Sequence, residues 1–322
     1  MIGKGFPMRY IISLVLASLA LPAWAEVPKV VTDIPPVHAL VAQVMGDLGT
    51  PDLLLERGAS EHDFQLRPSQ AAGLADAGLV VWIGPELTPW LDRALEGLGE
   101  GAKQLPLLAV PGTVTHAYAE GGAHMEAGHD DHGHDDHAEE EAGHDDHDHS
   151  GTDPHAWLDP ANAKLWLGAI AQDLSDLDPD NAATYAANAA AAAAGIDRLD
   201  ADLNARFAPL KDRPIVVFHD AYGYLADRFG LQIFGSIALG DATAPGAARL
   251  AALRDATAQG TVLCVFPEAQ HDAALAEQLA EGSGAKLGPA LDPNGSTLDP
   301  GPDLYAQLLT GLADAMLGCS NP

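Results

Sequence analysis

Residues 180–210 read DNAATYAANAAAAAAGIDRLDADLNARFAPL, a stretch made almost wholly of strong helix formers. Only Gly195 stands against one continuous helix. At 1.5 Å per residue, a helix of about thirty residues spans roughly 40 Å. So long an element in mid-chain reads as a rigid connector between two bodies. The alternative is two ordinary helices broken at Gly195.

Each side of this stretch alternates strand-like and helix-like segments. Before it, VPKVVTDI, DLLLERGA and LVVWIG read as strands, with KQLPLLAV continuing the pattern. PPVHALVAQVMG, SQAAGLADAG and LTPWLDRALEGL read as helices, the second capped at its Ser. LVVWIG is a continuous apolar run of the kind buried on both faces of a parallel sheet. After the connector, PIVVFH, LQIFGSIAL and TVLCVFPE read as strands, with helices at DAYGYLADRFG, APGAARLAALRDATAQG and DAALAEQLAEGSG. AKLGPAL and a helix over about residues 303–317 complete this half. Abundant alanine and few aromatics favour helices on a sheet over a β-sandwich. The expected fold is α/β: two lobes, each a parallel sheet flanked by helices, joined by one long backbone helix. The expected division is a signal peptide over 1–25, an amino-terminal lobe over 26–178, a linker helix over 179–209 and a carboxy-terminal lobe over 210–322.

The signal peptide follows from Lys4 and Arg9, the apolar run IISLVLASLAL, and the small-x-small site AWA ending at Ala25. The run is too short to anchor the chain in a bilayer. No cysteine follows the cut, so a lipid anchor is not expected. The expected product is exported and soluble, with the periplasm as its destination. The formal charge of −30 argues against nucleic acid and anionic membranes as partners and favours cations. In an exported chain the only two cysteines, Cys264 and Cys319, are expected to pair; the alternative is two buried thiols. Without a CxxC spacing they do not read as zinc ligands.

Residues 120–149 hold eight of the fourteen histidines and twelve acids, with no Lys or Arg. The segment, an expected loop over about 119–151, has no hydrophobic period and cannot bury apolar area. Ordering its closely spaced ligands around one ion costs conformational entropy, so it reads as a set of weak, exchangeable cation sites. Six histidines lie elsewhere. His62 sits in the loop SEHDF, His155 in the loop DPHAW before a helix, and His219 at the end of the strand PIVVFH. Ligands of parallel α/β sheets gather at the carboxyl ends of strands. These three can therefore converge on one cleft between the halves. His38 reads as structural, and His116 and His271 as surface residues.

Four motifs, SEHDFQLRPSQAAGLADAGLVVWIG, DPHAWLDPANA, VFHDAYGYLADRFGL and LDPNG, together resemble the metal-binding solute-binding proteins of ABC uptake systems, most of all their zinc-binding members. The resemblance covers essentially the whole mature chain. It implies two α/β lobes joined by a backbone helix, with the metal in the cleft between them. It carries the ligand roles onto His62, His155 and His219. Histidine at the third position, where manganese-binding relatives have glutamate, implies Zn²⁺, in keeping with the preference of imidazole for zinc. For the fourth ligand it points first to Glu61, then to Asp292 or water. Cys264 and Cys319 also match the disulfide of zinc-type members.

The function implied is capture of periplasmic Zn²⁺ and delivery to an inner-membrane ABC permease with its cytoplasmic ATPase, by a monomer that is not an enzyme and does not insert in the membrane. A second reading is a manganese or other divalent-metal binder of the same family. A third is a zinc hydrolase, although no HExxH or nucleophile elbow is present. A fourth is a zinc buffer built on the histidine-rich loop. Protons compete with metal for imidazoles, whose ordinary pKa is about 6.5, so affinity is expected to fall between neutral pH and about pH 5.

Overall fold

The computed structural model describes residues 27–58, 64–99, 101–117, 151–238 and 246–320. The expected signal peptide, the histidine-rich segment, and Glu61 and His62 lie outside the described residues.

The amino-terminal lobe runs β1 (Val30–Thr32), α1 (Pro35–Met45), β2 (Asp52–Leu53), α2 (Pro68–Ala75), β3 (Leu79–Trp82), α3 (Pro89–Leu98) and β4 (Lys103–Pro106), then α4 (Pro160–Leu177). Its strands lie in the order β2-β1-β3-β4, every neighbouring pair parallel. Every residue of β1 and β3 is buried, because helices cover both faces of the sheet. This is why those strands read as unbroken apolar runs. Helix α2 starts at Pro68 rather than behind a Ser cap. Proline is preorganised for the first helical position, and Gln70 supplies the cap. Its Oε1 accepts the Arg67 N–H at 3.0 Å while its Nε2 donates to the Leu54 carbonyl at 2.8 Å.

Helix α5 (Ala182–Phe207) is 26 residues long and passes Gly195 unbroken. Its buried residues, Tyr185, Ala189, Ile196, Leu203 and Phe207, recur at four- and seven-residue steps. They form one stripe against α1 and α4. A mid-helix glycine costs about 1 kcal/mol, less than the burial of a single Ile or Leu in that stripe contributes.

The carboxy-terminal half runs β5 (Ile215–Val217), α6 (Gly223–Phe229), β6 (Ile233–Ser236), α7 (Ala247–Thr257), β7 (Cys264–Val265), α8 (Ala274–Ser283), β8 (Lys286–Leu287) and α9 (Leu304–Ser320). The strand order is β6-β5-β7-β8, again all parallel. The two sheets therefore share one topology. In each, the connections reverse direction beside the first strand, between β1 and β3 and between β5 and β7. Helix α9 packs on α1 and α5 as well as belonging in sequence to the second half. Its Tyr305 donates to the Trp157 carbonyl at 2.7 Å. At its far end Cys319 is disulfide-bonded to Cys264 of β7, with Cα atoms 6.4 Å apart. The expected pairing is thus present, and α9 ties the second sheet to the first lobe. Among the described residues no helix is long and apolar enough to cross a membrane.

Candidate metal centre

His219 stands two residues beyond β5, and Glu268 three residues beyond β7. These are adjacent parallel strands flanking the reversal point of the second sheet, where such sheets open a crevice at their carboxyl ends. Both side chains are buried, and Glu268 Oε2 accepts from His219 Nδ1 at 2.6 Å.

His155 comes from the other lobe, in the turn ahead of α4. Asp153 Oδ1 accepts twice from it, from the backbone N–H at 2.9 Å and from Nδ1 at 2.7 Å. The turn that follows, Ala156–Leu158, is wholly buried, and Trp157 Nε1 donates to the Pro293 carbonyl at 2.9 Å. The ring is thus fixed from its own side chain and from the backbone behind it.

The two rings meet at their Nε2 atoms, 3.3 Å apart. An ionised carboxylate only accepts hydrogen bonds, so Asp153 and Glu268 each hold their histidine as the Nδ1–H tautomer. Both Nε2 lone pairs then face one another inside the protein, an arrangement satisfied by a cation or a shared proton. Zinc–nitrogen bonds of about 2.0–2.1 Å at a tetrahedral angle place two ligand nitrogens about 3.3–3.4 Å apart. The observed separation fits that value. Carboxylates behind the ligating imidazoles fix ring orientation and raise ligand basicity.

The surroundings are acidic. Burial pushes the Asp220 carboxyl up, with Asp153 adding to the rise and His155, His219 and Arg249 opposing it. His271 Nε2 lies 3.7 Å from Glu268 Oε2, and its ring stacks on Phe218 at 4.4 Å. The ligand atoms of His219, Glu268 and His271 lie within 4.8 Å of one another. The oxygen they share already holds His219, so His271 forms the outer wall of the same centre. It is half-buried, as is His116, which stacks on Tyr224 with ring centroids 4.1 Å apart. Both reach the surface but are less exposed than the sequence implies, because each finds an aromatic ring to cover one face. His38 is structural, its Nε2 donating to the Pro51 carbonyl at 3.1 Å.

Of the residues singled out in the sequence, His155 and His219 are brought together. Asp292 is engaged in its own loop: Oδ1 accepts from Ser296 N and Oγ at 2.8 and 3.1 Å, and Oδ2 from Thr297 N and Oγ1 at 2.8 and 2.6 Å. Asp153 and Glu268 were missed. For Glu268 the available signal was its place at the carboxyl end of a strand, the same that marked His219.

Residues 30–319 match the model of the family described as zinc-uptake complex component A, periplasmic. The chain belongs to that family. A relative from Paracoccus denitrificans (strain Pd 1222), named high-affinity zinc uptake system protein ZnuA, is 52% identical, with 97% of this chain and 98% of the relative covered. The protein of the same name from Brucella abortus (strain 2308) is 39% identical, with 97% and 99% covered. Among solved structures, a ZnuA deletion mutant with zinc bound is 25% identical, with a TM-score of 0.71, covering 92% of this chain and 99% of its own. A Mn-bound periplasmic metal-binding protein from Candidatus Liberibacter asiaticus is 22% identical with a TM-score of 0.72, covering 91% of this chain and 100% of its own, and shares the two-lobed fold.

Proposed function

We propose that this chain captures Zn²⁺ in the periplasm and delivers it to an inner-membrane ABC permease driven by a cytoplasmic ATPase. The observation that carries the reading is the pair of carboxylate-backed imidazoles, from two lobes, whose Nε2 atoms stand at the separation tetrahedral zinc requires. His62 supplies the third ligand and Glu61 the fourth. Asp292, whose oxygens are engaged by Ser296 and Thr297, ranks behind Glu61 and water. The chain is exported by a signal peptide over residues 1–25, works as a monomer and catalyses no reaction. The family and its relatives named for zinc uptake support the substrate and the compartment.

Calorimetric zinc titration of a protein lacking residues 120–149, beside His62→Ala and His219→Ala in the full chain, tests this. The loop-deleted protein should keep one tight site and lose weaker ones, whereas either point variant should lose the tight site. Loss of tight binding on loop deletion alone would overturn the cleft as the capture site.

A further inference from the structure

The start of α6 reaches both arms of the centre. Tyr222 and Tyr224 flank Gly223, and each is 1% exposed. Tyr222 Oη donates to Glu268 Oε1 at 2.9 Å, leaving Oε2 to hold His219. Tyr224 Oη donates to the Asp153 carbonyl at 2.7 Å and accepts the His116 N–H at 2.9 Å. Asp153 in turn holds His155. Tyr224 belongs to the second lobe, whereas His116 and Asp153 belong to the first, so its two hydrogen bonds cross between lobes. A Cβ on Gly223 would lie 3.4 Å from Asp153 Oδ2, an ordinary contact distance, so that carboxylate packs directly against the turn. Burial pushes the Tyr224 hydroxyl up, which keeps it protonated and able to donate.

A carboxylate held at only one oxygen can rotate about its terminal torsion, which is broad and roughly two-fold. A hydroxyl on the second oxygen removes that freedom and aims the first. For Tyr224 the lever is backbone: it fixes the Asp153 peptide from which the carboxylate is presented.

We propose that Tyr222 and Tyr224 are positioning residues of the metal centre, Tyr222 acting through Glu268 on His219 and Tyr224 acting through Asp153 on His155. The assignment rests on His155 and His219 being zinc ligands. Two residues, close in sequence to one ligand, thus set the angle of both.

The test is a crossed set of variants of the full chain. Tyr222→Phe and Tyr224→Phe are made alone and in the Glu268→Ala and Asp153→Ala backgrounds, which keep both imidazoles, with His155→Ala and His219→Ala as controls. Zinc Kd is read by competition with a chromophoric chelator, which reports the tightest site, and thermal melts are recorded without metal. Each Phe change alone should raise Kd about 10-fold, at the lower end of effects seen for groups behind metal ligands. Tyr222→Phe should lose its effect in Glu268→Ala and keep it in Asp153→Ala, and Tyr224→Phe should do the reverse. Equal weakening in every background would mean the hydroxyls act through general lobe stability and would overturn the assignment. So would an unchanged Kd together with an unchanged visible spectrum of the Co²⁺-loaded protein. If His155→Ala and His219→Ala themselves bind zinc as the parent does, the reading of the centre fails, and the assignment with it.

Discussion

The Nε2 atoms of His155 and His219 stand 3.3 Å apart although 64 residues and the whole backbone helix separate them in sequence. Each ring is held from behind by a buried carboxylate group, Asp153 or Glu268. Two lone pairs pressed together in this way store a preference for a cation, and a pocket already shaped for the ion spends little binding energy on ordering.

Zinc should therefore stabilise the fold strongly, and only while both rings are present. At free zinc about 1,000 times Kd, linkage gives about 4 kcal/mol of added stability. Denaturant unfolding with and without zinc should show this gain in the parent, and most of it should vanish in His155→Ala and in His219→Ala. A gain of full size in either variant would place the tight site elsewhere.

Glu268→Gln keeps the size of the side chain but removes the charge that makes His219 a better ligand. Zinc Kd should rise about 10- to 100-fold, and Asp153→Asn should act similarly through His155. Chelator competition measures both. A Kd within about two-fold of the parent in both variants would show that the carboxylates serve only to satisfy buried imidazole N–H groups.

Much of this was legible in the chain. The alanine-rich stretch announced α5, since propensity summed over so many residues outweighs one glycine. Buried parallel strands announced themselves as apolar runs, and strand-end position marked His219. Glu268 was harder to read: its strand is only two residues long, and its partner is 49 residues away. The packing of α9 on α1 and α5 was invisible, because an apolar helix face does not say which neighbour covers it. His116 and His271 read as surface residues for the same reason, their covering rings, Tyr224 and Phe218, being distant in sequence.

His38 offers a test of pH dependence away from the metal. Burial holds its imidazole below the ordinary value, opposed by its hydrogen bond to the Pro51 carbonyl and by Asp52. The folded state thus binds a proton more weakly than the unfolded chain. The contribution to stability is complete above the unfolded value of about 6.5 and is lost as pH falls towards the depressed folded value. Denaturant unfolding with chelator present should show stability dropping below about pH 6.5. His38→Gln, which keeps a donor for Pro51, should flatten that part of the profile. Parallel profiles for parent and variant would remove His38 as a cause.

The disulfide should separate stability from binding. Cys264 and Cys319 close a loop of 55 residues, which in the chain-entropy model stabilises the fold by about 4 kcal/mol. The bond ends two residues before Phe266 and four before Glu268, so it could equally be required to aim that carboxylate. Glu268 has its own supports: its oxygens are engaged by His219 and Tyr222, and its backbone bridges to Leu291. The Cys264→Ala, Cys319→Ala double variant should therefore unfold at lower denaturant while binding zinc within a few-fold of the parent. Urea unfolding and chelator competition on the same preparations decide it. A Kd raised by more than about 10-fold at a temperature where the variant remains folded would make the bond part of the centre's scaffold rather than of its general stability.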